Sequence, residues 1–276
     1  MNGGKKPLGY TIVEVMIVLA VSGMMFAIAA SFINGKQANT AFTQGANELG
    51  SKIQLVIGQV TDGQYSDAAI SCTHTTGSTV VSAGLSGDQQ GANSKCVFLG
   101  KLLHFSVNSE PDKFNVYSVA GGRANDDNQA ELTFADSVPT IIAPLTSEYT
   151  TPQSLEVTQV TATDTTGVVL AGDFMFGFLQ GLGSKDKTGA LSNGSQAISL
   201  YAVKSVGSSI DKPTAYAKVL KTQLFAASKV QICLSDGSRH AIISLGNDDV
   251  TGQNVNSQLN VDTKIYGTAP TPAGLC

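Results

Sequence analysis

Tryptophan is absent from the 276 residues, histidine occurs three times, and only 14 % of the side chains are charged, against about 25 % in an ordinary soluble domain. Positive charge is the scarcer sign: seventeen Lys and Arg face twenty-one Asp and Glu, for a formal net charge of −4. With no basic excess to neutralise phosphates, the composition speaks against nucleic-acid binding. Signatures of catalysis are missing too. No His or Glu stands four residues from His74, His104 or His240 to form a helical metal pair, and there is no G-x-S-x-G elbow, phosphate loop or dinucleotide glycine pattern. The four cysteines show no C-x-x-C spacing, so zinc is not expected. The chain reads as a non-enzyme without a cofactor. Wholesale disorder is excluded by an apolar content of 42 %.

The apolar residues are concentrated at one end. From Val15 to Gly35 no residue is charged, and the run opens at Tyr10 with YTIVEVMIVLAVSGMMFAIAASFI. As a helix, 21 such residues extend about 31 Å, close to the hydrocarbon thickness of a bilayer. A single span over about 10–34 is expected. Lys5 and Lys6 precede it, and positive flanks stay cytoplasmic, so the N-terminus is placed inside and the rest exported. A cleaved secretory signal fits less well. The apolar stretch exceeds an ordinary signal core, and Ala29-Ala30-Ser31 only imitates a cleavage site.

Glu14 breaks the apolar run. A carboxylate near the bilayer centre costs about 2.5 kcal/mol or more and is a functional candidate by default. The alternative is a plain helix-start residue, favoured modestly by the positive helix N-terminus.

The string from Gly9, G-Y-T-I-V-E-V-M-I-V-L-A, resembles the type IV prepilin signature. A short basic leader ends in Gly9, Tyr10 follows, Glu14 falls at the fifth mature place, and an uncharged helix continues. The resemblance implies that prepilin peptidase cuts between Gly9 and Tyr10 and N-methylates Tyr10. Removal of Lys5 and Lys6 takes the formal charge from −4 to −6. It further implies that Glu14 of one subunit pairs with the Tyr10 amine of its neighbour, since each charge alone in lipid is costly. Tyr10 departs from the usual Phe or Met, and no proline lies between residues 8 and 110, where many pilins carry one. The implied protein is a pilin or minor pilin of a type IV pilus-like filament. It would work with the inner-membrane assembly machinery and other pilin subunits, first in the cytoplasmic membrane and then on the cell surface. A secretion pseudopilin, or an anchored β-domain that binds without polymerising, is the alternative.

The expected organisation is a leader (1–9), an N-terminal helix (10–60) and an exported β-rich head (61–276), an α+β fold with the helix packed on an antiparallel sheet. Ala38, Ala41, Phe42, Leu49, Ile53, Val56 and Ile57 recur at spacings of three and four, an amphipathic continuation of the span. Gly35, Gly45 and Gly50 would either let the helix melt locally or let it pack closely on the head. A stop is expected near Thr61-Asp62-Gly63. Residues 96–107 pair with 114–119 as strands, residues 196–206 form another, and residues 229–245 read as a hairpin about Asp236-Gly237. Residues 73–95, 121–131, 183–195 and 246–263 read as polar surface loops. Within two of them, GGRANDDNQ and GNDDVTGQN are taken as solvated turns rather than calcium loops. Phe174, Phe176, Phe178, Leu179 and Leu182 are expected in the core. Cys72, Cys96, Cys233 and Cys276 all lie in the exported part, where disulfides form, and three connectivities are open. Resemblance to the C-terminal loop of pilins favours Cys233–Cys276, leaving Cys72–Cys96.

Overall fold

The computed structural model describes residues 9–63, 70–75, 78–83, 96–107, 109–122, 139–172, 175–180, 198–203, 224–246 and 260–267. They form one long helix and a large antiparallel sheet, an α+β fold. The chain divides into two units, Met1–Gln44 and Gly45–Cys276, and each is taken by itself.

In the first unit the described residues are essentially helix. Helix α1 runs Ile12–Thr61. Its stretch Ile12–Ala30 has a mean hydropathy of 2.4 and none of it is buried. Leu19, Met24, Met25 and Phe26 stand in the open. A helix apolar all round is covered by lipid or by other protein, because water does not support such a surface.

The second unit begins inside α1, where the pattern becomes one-sided. Ala46, Leu49, Ile53, Val56 and Val60 are buried, while Asn47, Glu48, Ser51 and Gln54 are exposed. Glu48 and Lys52 pair across one turn at 3.5 Å. Leu55 remains 60 % exposed on the outer face. The helix stops at Thr61, and Gly63, at φ +64°, donates its N–H to the Val60 carbonyl. The left-handed residue just past the end satisfies a terminal carbonyl at little steric cost because it is glycine. Gly45 and Gly50 lie within unbroken helix. A Cβ at Gly45 would stand 2.9 Å from Leu155 Cδ1 and 3.1 Å from the Pro152 carbonyl, and one at Gly50 would stand 3.1 Å from Thr263 Oγ1. Close packing accounts for both glycines.

Twelve strands are described. They are β1 (Ile70–Thr75), β2 (Ser78–Ala83), β3 (Cys96–Phe105), β4 (Lys113–Gly122), β5 (Thr140–Thr150), β6 (Glu156–Asp164), β7 (Val169–Ala171), β8 (Met175–Gln180), β9 (Ile198–Val203), β10 (Leu224–Ser235), β11 (His240–Gly246) and β12 (Val261–Gly267). β1 and β2 form a small hairpin; the main sheet runs β12-β11-β10-β9-β8-β3-β4-β5, with β6 joined to β10 and β7 to β6. β10 organises it. Leu224–Ala226 pair with β9; from Ala227 the strand pairs with β6, with a register shift before Lys229, and from Lys229 it pairs with β11 on its other side.

One face of the sheet carries Lys101, whose Nζ donates to Gln59 Oε1 of α1 at 2.6 Å, and Gln180, whose Nε2 donates to the Val60 carbonyl at 2.5 Å. Burial holds the Lys101 ammonium below its ordinary pKa. Alternation puts Phe105, Phe114 and Phe176 on this face. Their rings stack in a row with Tyr149, at 5.9, 5.0 and 5.2 Å from β8 to β5. The opposite face buries Leu99, Leu102, Tyr117, Val119, Ile141, Met175, Leu179 and Val203 together.

The expected strands at 96–107, 114–119, 196–206 and 229–245 correspond to β3, β4, β9 and β10–β11. Phe176, Phe178 and Leu179 are buried as core; Phe174 and Leu182 lie outside the described residues. The loop reading of 73–95 is corrected: β1 and β2 occupy its first part, so His74 sits on a strand. Thr and Ser pass for loop by polarity, yet Thr is β-branched and strand-competent. Similarly β12 overlaps the end of the 246–263 stretch, and β4 extends to Gly122. Residues 183–195 lie outside the described residues.

Candidate functional site

Gly9, Tyr10 and Glu14, which the sequence singles out, lie at the start of α1. Gly9, Tyr10 and Thr11 are not helical, and Ile12 opens the helix. Thr11 caps it. Its Oγ1 accepts the Glu14 backbone N–H at 3.3 Å, and its carbonyl accepts the Val15 N–H at 3.2 Å. This is the Ser/Thr-x-x-Glu spacing of a helix start, in which a hydroxyl satisfies one of the four backbone donors that lack an intrahelical partner. The sequence signal for this cap is the T-x-x-E spacing of Thr11 and Glu14.

Glu14 is therefore the third helical residue, acidic in the first turn where the macrodipole favours a negative charge. Its carboxylate is exposed on a helix whose neighbouring side chains are apolar. Among the described residues no cation pairs with it. Tyr10 is 82 % exposed. Gly9, Tyr10 and Glu14 thus fall within one short segment, with the Gly9–Tyr10 bond outside the helix and the carboxylate inside its first turn.

The cysteines occupy other ground. Cys233, on β10 opposite Ile242, is buried and disulfide-bonded, and its carbonyl accepts Thr158 Oγ1 at 3.3 Å. Cys233 and Ser235 are buried along with Val230, Ile232 and Leu234, so the simple in–out alternation expected for this strand gives way to cover on both faces. The backbones of Cys72 and Cys96 belong to β1 and β3; their side chains, and all of Cys276, lie outside the described residues.

Elsewhere the polar clusters tie turns. Asp236 Oδ1 accepts the N–H groups of Ser238 and Arg239 at 3.0 and 2.8 Å, and Oδ2 accepts Arg239 Nε at 2.8 Å. Burial pushes this carboxyl up, but the Arg239 guanidinium, the two amides and the Ser238 hydroxyl outweigh it and hold the pKa at about 2. Asp164 is lowered by the Thr166 hydroxyl first and then by the Val168 amide, in the turn before β7. His104 is buried on β3 and His240 opens β11. Among the described residues no three His, Cys, Asp or Glu side chains gather as metal ligands. The Asp/Asn-rich segments Gly121–Gln129 and Gly246–Asn254 lie outside the described residues beyond their first positions.

Compared with known proteins, residues 4–30 match the family model of the prokaryotic N-terminal methylation motif. That motif is the prepilin signature of type IV pilins and pseudopilins, and the chain carries it. No curated protein and no solved structure matches the chain.

Proposed function

We propose that the chain is a structural subunit, a pilin or minor pilin, of a type IV pilus-like filament. The observation that carries this reading is a coincidence of place. The methylation motif at 4–30 overlies a helix segment that is apolar on every side and not buried by its own chain. Prepilin peptidase would cut between Gly9 and Tyr10 and methylate the new amine. The subunit would wait in the cytoplasmic membrane, N-terminus inside, and then join a filament through α1. Glu14 would meet the Tyr10 amine of an adjacent subunit, relieving two charges that lipid solvates poorly. The sheet unit would be the exported head, pilin-like in having the later turns of a long helix packed on antiparallel strands. Cys233–Cys276 and Cys72–Cys96 are the pairings we propose, in keeping with an oxidising location.

This role is structural, and it needs neither cofactor nor catalytic group. N-terminal sequencing of the membrane-extracted protein tests the processing step, with Tyr10 expected first. A start near residue 31, or an uncut leader, overturns the assignment. Immunogold labelling of sheared filaments tests assembly, with label expected along or at the tip of the fibres.

A further inference from the structure

We propose that Thr11 is a positioning residue for cleavage of the Gly9–Tyr10 bond: its hydroxyl fixes where α1 begins and so keeps the scissile peptide out of the helix. The proposal rests on the processing reading above.

The backbone bonds at the helix start carry the argument. Glu14 N–H is taken by Thr11 Oγ1 at 3.3 Å, and Val15 N–H by the Thr11 carbonyl at 3.2 Å. Gly9, Tyr10 and Thr11 stay outside the helix. In a helix each N–H bonds to the carbonyl four residues back. Without the Thr11 hydroxyl, Glu14 N–H turns to the Tyr10 carbonyl, and closing that turn brings Val13 N–H onto the carbonyl of Gly9. A membrane environment strengthens this pull, because an unpaired N–H finds little water there. The Gly9 carbonyl is the one hydrolysis must reach: water adds to its carbon, the C–N bond to Tyr10 breaks, and a proton goes to the departing amine. Bonded into a helical ladder, that carbonyl is hindered and the peptide is not extended. The cap removes the competition at its source, by occupying the donor that would begin the extension.

Glu14 supplies the donor through its backbone, so the device does not depend on its carboxylate. Processing and assembly therefore divide between neighbouring residues, Thr11 for the cut and Glu14 for the later pairing.

The test is cleavage of the full-length precursor in membranes by prepilin peptidase, comparing wild type with Thr11→Val, Thr11→Ser and Thr11→Asn. Valine keeps the branched shape without the acceptor, and serine and asparagine keep an acceptor of different shape. Valine is expected to slow cleavage about fivefold, with an upper bound of about thirtyfold. The loss should appear as a raised KM at unchanged kcat, because a smaller fraction of the substrate is in the competent conformation. Serine and asparagine should cleave at rates near wild type. Wild-type rates for valine, or asparagine and serine as slow as valine, overturn the proposal. Failure of the wild-type chain to be cut at Gly9–Tyr10 instead overturns the processing reading, and this proposal with it.

Discussion

Replacing Glu14 by alanine separates two roles that differ in size. As a helix-start residue, the carboxylate interacts with the first-turn dipole, worth about 0.3–1 kcal/mol. The cap itself survives the substitution, because Thr11 Oγ1 binds the Glu14 backbone and not its side chain. As the partner of a neighbour's amine, the carboxylate is one half of a desolvated pair, and removing one half costs about 3–5 kcal/mol. The first role predicts a change in assembly of less than about fivefold, whereas the second predicts a loss of more than about a hundredfold. Insertion does not confuse the comparison, since alanine makes the span more apolar. The measurement is the ratio of subunit in sheared filaments to subunit in membranes for wild type, Glu14→Gln and Glu14→Ala. Alanine is expected to fall by about two orders of magnitude and glutamine to lie between. A drop smaller than fivefold would show that Glu14 only starts the helix, and the pairing argument would be refuted.

Two glycines of α1 are expected to respond to alanine with opposite signs. Gly58 meets open space, so Gly58→Ala should stabilise by about 1 kcal/mol through helix propensity. Gly45→Ala must displace Leu155 and the Pro152 backbone, and should destabilise by about 1 kcal/mol net. Urea unfolding of the detergent-solubilised chain decides, and shifts of the same sign would contradict the packing described. The Asp236 pKa of about 2 lies below its unfolded value, so its contribution is complete above about pH 4 and is lost as pH falls toward 2. After allowance for solvent at a hairpin tip this amounts to about 1–2 kcal/mol. Asp236→Asn should flatten the acid limb of the stability curve in that window, and an unchanged limb would count against it. Non-reducing peptide mapping is expected to recover Cys233–Cys276 and Cys72–Cys96; a peptide joining Cys233 to Cys72 or Cys96 would reject both pairings.

Legibility followed how local each signal was. The β10–β11 hairpin could be read because Val230, Ile232 and Leu234 lead into an Asp-Gly turn whose own side chain closes it. β5 could not, because Pro144 interrupts it and Pro reads as a strand breaker. The fold accommodates that residue where the register with β4 jumps from Tyr117↔Thr146 to Val119↔Ile141, on the last strand of the main sheet's order. β6 escaped for another reason: Thr161 and Ala162 are both buried, so no in–out alternation survives. Its neighbour β10 lies 63 or more residues away in sequence at every pair, beyond the range of any local pattern. The helix start is the opposite case. Gly9, Tyr10 and Glu14 lie within six positions, so the resemblance to the prepilin signature is carried by one short string. The Thr11 cap is equally local, since the T-x-x-E spacing to Glu14 carries it.

The change of character along α1 bears on how such a subunit could leave a membrane. From Val15 to Ala30 the helix is uncharged and apolar around its circumference, and from Gly45 it buries one face and wets the other. Its backbone donors are satisfied inside the helix throughout, except at the two ends. On the proposed reading, moving the apolar part from lipid into a filament core therefore breaks no backbone hydrogen bond. It exchanges one apolar surrounding for another, and Leu, Met, Val and Phe side chains gain little from that exchange alone. Both the cost and the direction of transfer are then concentrated at the N-terminal end, on the Tyr10 amine and the Glu14 carboxylate. A pair of opposite charges that lipid holds apart and an adjacent subunit brings together makes assembly favourable only in one axial register. On the proposed reading, the pairing requires the carboxylate in the first turn and not farther along the span. By the same reasoning, moving the carboxylate one turn deeper, with Glu14→Val and Val18→Glu together, should lower filament recovery as far as Glu14→Ala while leaving the membrane pool intact. Recovery at the wild-type level would show that the charge is needed but its register is not.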